Sequence, residues 1–167
     1  LLCIVALGLL LYNKFSKRMG ILKPITVGLL MISMYPLSLV ITDGVPGPRG
    51  WSLFFFPFWM FLISFSFEMY KDLRDVKGDV SVTGAPILWQ KYPQRWRVVA
   101  NIVHICGGLI LLLTFAFGNS LLYLLLISPA MVLPFLSFRA YGTRAMWLVA
   151  IEYVFVGIAA VSEVMLY

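Results

Sequence analysis

Apolar residues run along this chain in long blocks, with the polar residues gathered between them. The blocks are residues 1–12, Pro24–Ile41, Trp51–Phe67, Val98–Phe117, Ser120–Phe138 and Ala145–Tyr167. A bilayer core of roughly 30 Å takes about 20 helical residues to cross. The pattern therefore predicts an all-α fold, a polytopic transmembrane bundle of five full spans and part of a sixth, as a single domain. Pro129 and Pro134 interrupt the Ser120–Phe138 block, as kinks that membrane helices tolerate when neighbours satisfy the freed backbone groups. The opening "LLCIVALGLLL" is half a span with no basic segment before it, which does not read as a signal peptide. It reads as the tail of a helix whose first half is absent, so the chain is expected to be the C-terminal part of a larger protein.

Composition agrees. The 167 residues are 62% hydrophobic and 12% charged, with a mean hydropathy of +0.96, against about 45–50% and about 25% in soluble domains. Alternating the chain across each span places Lys14, Lys17, Arg18, Lys23, Lys71, Arg74, Lys77, Lys91, Arg95, Arg97, Arg139 and Arg144 on one side. The other side receives only Arg49. That bias assigns the basic side to the cytoplasm. The expected location is a membrane crossed several times, the cell inner membrane in a bacterium, with the loop over Glu68–Trp96 cytoplasmic. The net charge of +6 is then topology, helped by anionic membrane lipids, and calls for no nucleic-acid partner. Cys3 and Cys106 lie inside apolar blocks and are read as small packing residues, since their spacing suggests neither a metal site nor a disulfide framework.

The stretch "FEMYKDLRDVKGDV" departs from this apolar background. At 100° per residue, Glu68, Asp72, Asp75 and Asp79 fall within about 60° on one helix face, with Lys71 flanking and Arg74 and Lys77 pointing elsewhere. Like charges at this spacing repel, more so near a low-dielectric surface. Two readings follow. One is a solvated interfacial helix stitched by pairs such as Glu68–Lys71 and Lys71–Asp75. The other is a divalent metal site, because Mg²⁺ prefers oxygen ligands and commonly binds one or two carboxylates plus substrate phosphates. Zinc suits it less, with no Cys or His beside the acids, and the spacing excludes an EF-hand.

"YKDLRDVKGD" resembles the second aspartate-rich motif, K-D-x-x-D-x-x-G-D, of the UbiA superfamily of intramembrane prenyltransferases, at Lys71, Asp72, Asp75, Gly78 and Asp79. "LYNKFSKR" is similar to the family's Tyr-then-basic loop, and "TGAPIL" to a later G-x-P-T-L stretch, with Ile87 in place of Thr. The resemblance implies a nine-helix fold of which this chain is the last part. It implies Mg²⁺ held by Asp72, Asp75 and Asp79, with the diphosphate of an isoprenyl diphosphate contacted by Tyr12, Lys17, Arg18 and Lys71. Metal-assisted loss of diphosphate and capture of the prenyl cation by a lipophilic acceptor, such as a quinone precursor, would follow. The glycine-containing motif looks closer to the branches acting on homogentisate, chlorophyllide or geranylgeranylglyceryl phosphate. The family's first motif, N-D-x-x-D, is missing, since no Asn-Asp pair occurs in the sequence; the chain alone is expected not to catalyse transfer. The alternative is a non-catalytic membrane subunit or transporter fragment that binds cations through its acidic loop.

The remaining candidates have plain readings beside the functional ones. Tyr12, Lys17 and Arg18 serve equally as interfacial anchors. The run "WSLFFFPFWMF" either lines a prenyl channel or faces lipid. His104 and Glu152 each lie seven residues into their blocks, at a shared depth of about 10 Å. Ionisable groups so deep face a cavity or a partner, so the two form an interhelical pair, with Asn101 near, or one of them is a general base for the acceptor. Glu163 is assigned no role. Gly107–Gly108 is read as a close helix contact.

Overall fold

A computed structural model describes residues 2–15, 19–41, 50–83 and 91–166, with side chains for 3–14, 19–33, 35, 55–76, 91–163 and 165–166. All six elements are helices, with no strand among the described residues: α1 (Leu2–Phe15), α2 (Leu22–Ile41), α3 (Gly50–Thr83), α4 (Pro93–Ala116), α5 (Leu121–Ser137) and α6 (Thr143–Met165). Two of them, α4 and α6, are long and apolar enough to cross a membrane; α1, α2 and α5 contribute shorter apolar stretches. The sequence divided Trp51–Phe67 from the acidic stretch, whereas α3 runs unbroken through both for 34 residues.

Helices α3, α4, α5 and α6 each pack on the next, and α6 returns to α3, closing a ring of four. Helix α2 packs on the outside of α3, and α1 on α2. Glycines set the closest approaches. A Cβ on Gly107 of α4 would lie 2.7 Å from Ile63 Cδ1 of α3, and one on Gly28 of α2 would lie 2.5 Å from Phe61 of α3. On its other side α4 meets α5, where a Gly108 Cβ would come 3.1 Å from Pro134. The glycine pair is a packing contact, as expected. Gly107→Val should force α4 off α3 and cost about 1–3 kcal/mol, the usual range for overpacking, read as a lower Tm in detergent.

Side-chain burial divides α6 into two faces. Ala145, Val149, Glu152, Val156, Ala159 and Glu163 are buried at spacings of three and four. Trp147, Ile151, Val154, Ile158, Val161 and Met165 repeat the same spacing on the opposite face and are exposed. A helix apolar on both faces and half uncovered supports membrane association. Helix α4 repeats this with Ile102, Leu109 and Leu113 exposed. Cys106 shares that stripe, and both Cys3 and Cys106 are exposed, which corrects their reading as packing residues: the helix rotation that buries Gly107 and Gly108 turns Cys106 outward.

Candidate functional site

Two polar clusters interrupt the apolar packing. The first lies where α3 carries its acids. Glu68 and Asp72, one turn apart, are both buried and point at the two preceding helices. Lys23, at the start of α2, bridges them: its Nζ is 2.9 Å from Glu68 Oε1 and bonds Asp72 Oδ1. The Tyr12 hydroxyl of α1 donates to Glu68 Oε1 at 3.0 Å, and Lys71 approaches the same oxygen at 3.3 Å. Five side chains from three helices thus meet at one turn of α3.

Burial alone would push the Glu68 carboxyl upward. The hydrogen bond and charge of Lys23, then the Lys71 charge and the Tyr12 hydroxyl, more than reverse this and hold it below the usual carboxylate range. Burial likewise works against the Lys23 ammonium, and its bonds to Asp72 and Glu68 hold it above the usual lysine range. The sign of the linkage follows. Stability from Glu68 is present above its unfolded pKa near 4.5 and is lost as pH falls through the depressed folded value. Stability from Lys23 is present below about 10.5 and is lost as pH rises through the raised one. Tm should therefore plateau between about pH 5 and 10 and fall on both sides, and in Lys23→Met the alkaline fall should become shallower.

Asp75 goes its own way. It is 39% exposed and takes a two-point pair from Arg74, at 2.6 Å to Nε and 2.8 Å to Nη2. The Arg74 hydrogen bond holds its carboxyl below the usual range, against the upward push of burial. The sequence expectation that Lys71 stitches Glu68 holds, but Asp75 is paired by Arg74 instead. A one-residue step puts Arg74 within reach because both side chains lie near the surface. Lys17 and Arg18, the Asp79 side chain, and residues 84–88 of the "TGAPIL" stretch lie outside the described residues.

The magnesium implied by the resemblance requires carboxylates that converge. Asp72 faces Lys23 and Asp75 faces Arg74, and among the described residues no three His, Cys, Asp or Glu side chains meet to hold a metal. The gap beside Asp72, lined by Pro24, Met69, Leu73 and Trp96, measures about 10 Å³, room for a single water at most. Mg²⁺ keeps several waters. As arranged, the described carboxylates do not fit the ion.

The second cluster lies inside the four-helix ring. His104 of α4 and Glu152 of α6 are both fully buried, with Nε2 2.6 Å from Oε2. The two atoms share one hydrogen bond between α4 and α6. Trp59 Nε1 of α3 donates to the other Glu152 oxygen at 3.0 Å. The Tyr70 hydroxyl lies 3.4 Å from His104 Nδ1 and donates to Asn101 Oδ1 at 2.7 Å. Ser137 of α5 is 3.1 Å from that hydroxyl and donates to the Pro134 carbonyl at 2.5 Å. The expected depth match is thus an interhelical pair, enlarged by Trp59, Tyr70 and Ser137, which sequence reasoning missed. Lys23 was counted only as topology, its place one residue before a span being the sole signal. Glu163, given no role, accepts from the Ser120 backbone N–H at 3.0 Å and pairs with its hydroxyl at 2.5 Å, closing the start of α5. Compared with known proteins, the chain matches no family model, no curated protein and no solved structure.

Proposed function

We propose that this chain works as a multi-span helical bundle in the membrane, as part of an intramembrane prenyltransferase of the UbiA kind. In this reading it helps move a prenyl group from an isoprenyl diphosphate to a lipophilic acceptor. The observation that carries it is α3. One unbroken helix joins an apolar segment to the K-D-x-x-D-x-x-G-D motif, and the motif's first turn is held by side chains from α1 and α2. Such a helix puts an ionic surface directly at the end of an apolar one, the arrangement a charged diphosphate on a hydrocarbon chain requires. The two apolar faces of α4 and α6 support the membrane placement.

Within that reading, Lys23 and Tyr12 are internal and hold the acid turn in place. Lys71, 37% exposed, has room to donate to diphosphate oxygens, and the prenyl chain lies along the apolar part of the bundle. No step is routed through a metal, for the reason given above. Cation gathering by a non-catalytic subunit is supported less well, because Glu68 and Asp72 are already neutralised from within.

The test uses the full chain in nanodiscs. Farnesyl diphosphate should bind at least about tenfold more tightly than inorganic pyrophosphate or farnesol, a difference of about 1.4 kcal/mol. Lys71→Gln should remove most of that preference, and Arg139→Gln should leave it. Equal affinity for the three probes would reduce the cluster to a helix clamp.

A further inference from the structure

On the side of α3 away from Lys23, a groove of about 290 Å³ opens between α3 and α6, lined by Phe67, Arg74, Thr143, Met146, Trp147 and Ala150. Phe67 and Arg74 are seven residues apart, two turns along one face of α3. The four α6 residues have the i, i+3, i+4, i+7 spacing of one face. The groove therefore runs parallel to both helix axes for about 10 Å. Its ends differ. Arg74 and the Thr143 hydroxyl stand at one end, and Phe67 and Ala150 at the other. The turn before α6 brings them together: Gly142, at φ +54, lies so close that a Cβ there would be 3.7 Å from Arg74 Cγ. Arg144, two residues after Gly142, is exposed.

We propose that this groove is a binding site for an anionic phospholipid of the surrounding membrane. It rests on the membrane placement above but not on prenyl transfer. Charge and direction both select the ligand. Asp75 uses two of the five N–H donors of Arg74, and a guanidinium offers the rest to phosphate oxygens. Arg144, next in sequence to the lining residue Thr143, adds a positive charge near this end, where Arg74 and Asp75 together are neutral. Basic pockets between membrane helices on the cytoplasmic side bind acidic headgroups in this way. Below the mouth, the slot is apolar and parallel to the helices, as an acyl chain in a bilayer is. Trp147, 66% exposed, forms one edge at the depth where indoles meet headgroups.

Trp147 also supplies the readout. The full chain is reconstituted into nanodiscs containing phosphatidylcholine with a minor share of brominated phosphatidylglycerol, or of brominated phosphatidylcholine. The Trp147 signal is taken as the difference from Trp147→Phe. Brominated phosphatidylglycerol should quench it at least threefold more than the choline lipid at equal content. That excess should vanish in Arg74→Gln/Arg144→Gln and in the groove-filling Ala150→Phe, which keeps both charges, and persist in Arg139→Gln. Equal quenching by the two lipids overturns the proposal, as does a loss in Arg139→Gln as large as in the double variant, which would mark general surface attraction. If neither lipid quenches Trp147, the membrane placement of α6 itself fails. A lipid preference that survives alongside equal binding of the three prenyl probes would leave the groove standing and remove only the transferase reading.

Discussion

Glu152→Ala should destabilise the bundle by about 3–5 kcal/mol, because it leaves two buried polar groups unpaired at about 1–3 kcal/mol each and opens a cavity. Against a typical total of about 5–15 kcal/mol, that is enough to deplete folded protein. The cause is local and specific. His104 has no exposure, and its Nε2 has Glu152 Oε2 as its partner at 2.6 Å. Truncation also strands the Trp59 indole N–H, which donates to the same carboxylate, and adds a cavity. The decisive comparison is a cycle. His104→Leu/Glu152→Leu replaces the pair by apolar side chains and should recover most of the loss, since buried pairs are often replaced at little cost when both members go together. Recovery should stop short of wild type, because the Trp59 donor still lacks an acceptor. Unfolding followed by circular dichroism in one detergent supplies all the values. Single variants whose losses simply add in the double would show that the two residues act separately.

Lys23→Met should cost about 3 kcal/mol and loosen α1 and α2 from α3. Methionine keeps the length and apolar stem of lysine, so the change removes charge with little loss of packing. What remains is two carboxylates with side-chain exposures of 4% and 6% and without the cation that bridges them. Asp72→Asn should be milder, since Lys23 retains Glu68 at 2.9 Å. Combining Lys23→Met with Glu68→Gln and Asp72→Asn should restore much of the loss, because the repulsion then has no charges. Hydrogen exchange over residues 2–41 against residues 93–163 reads the effect where it is expected. Uniform protection in Lys23→Met would mean that the ions do not tie the helices together.

The apolar blocks determine by themselves that the chain is helical and roughly where each helix runs. These follow from local pattern, because about 20 apolar residues in a row have few other fates. The depth of His104 and Glu152 was legible for the same reason: rise per residue is fixed in any helix. Rotation is different. Which way each helix face points depends on its neighbours, and here glycines choose. Gly28 lets α2 approach Phe61 of α3, and Gly107 seats Ile63. Those contacts turn Glu68 and Asp72 toward Lys23 and leave Asp75 at the surface with Arg74. The sequence places all the acids on one stripe, and so allows a metal site. Only the packing of α2 on α3 decides that an ammonium group fills the first turn of that stripe. It does so because a buried carboxylate takes the nearest cation within reach, and distance across helices cannot be read from spacing along one.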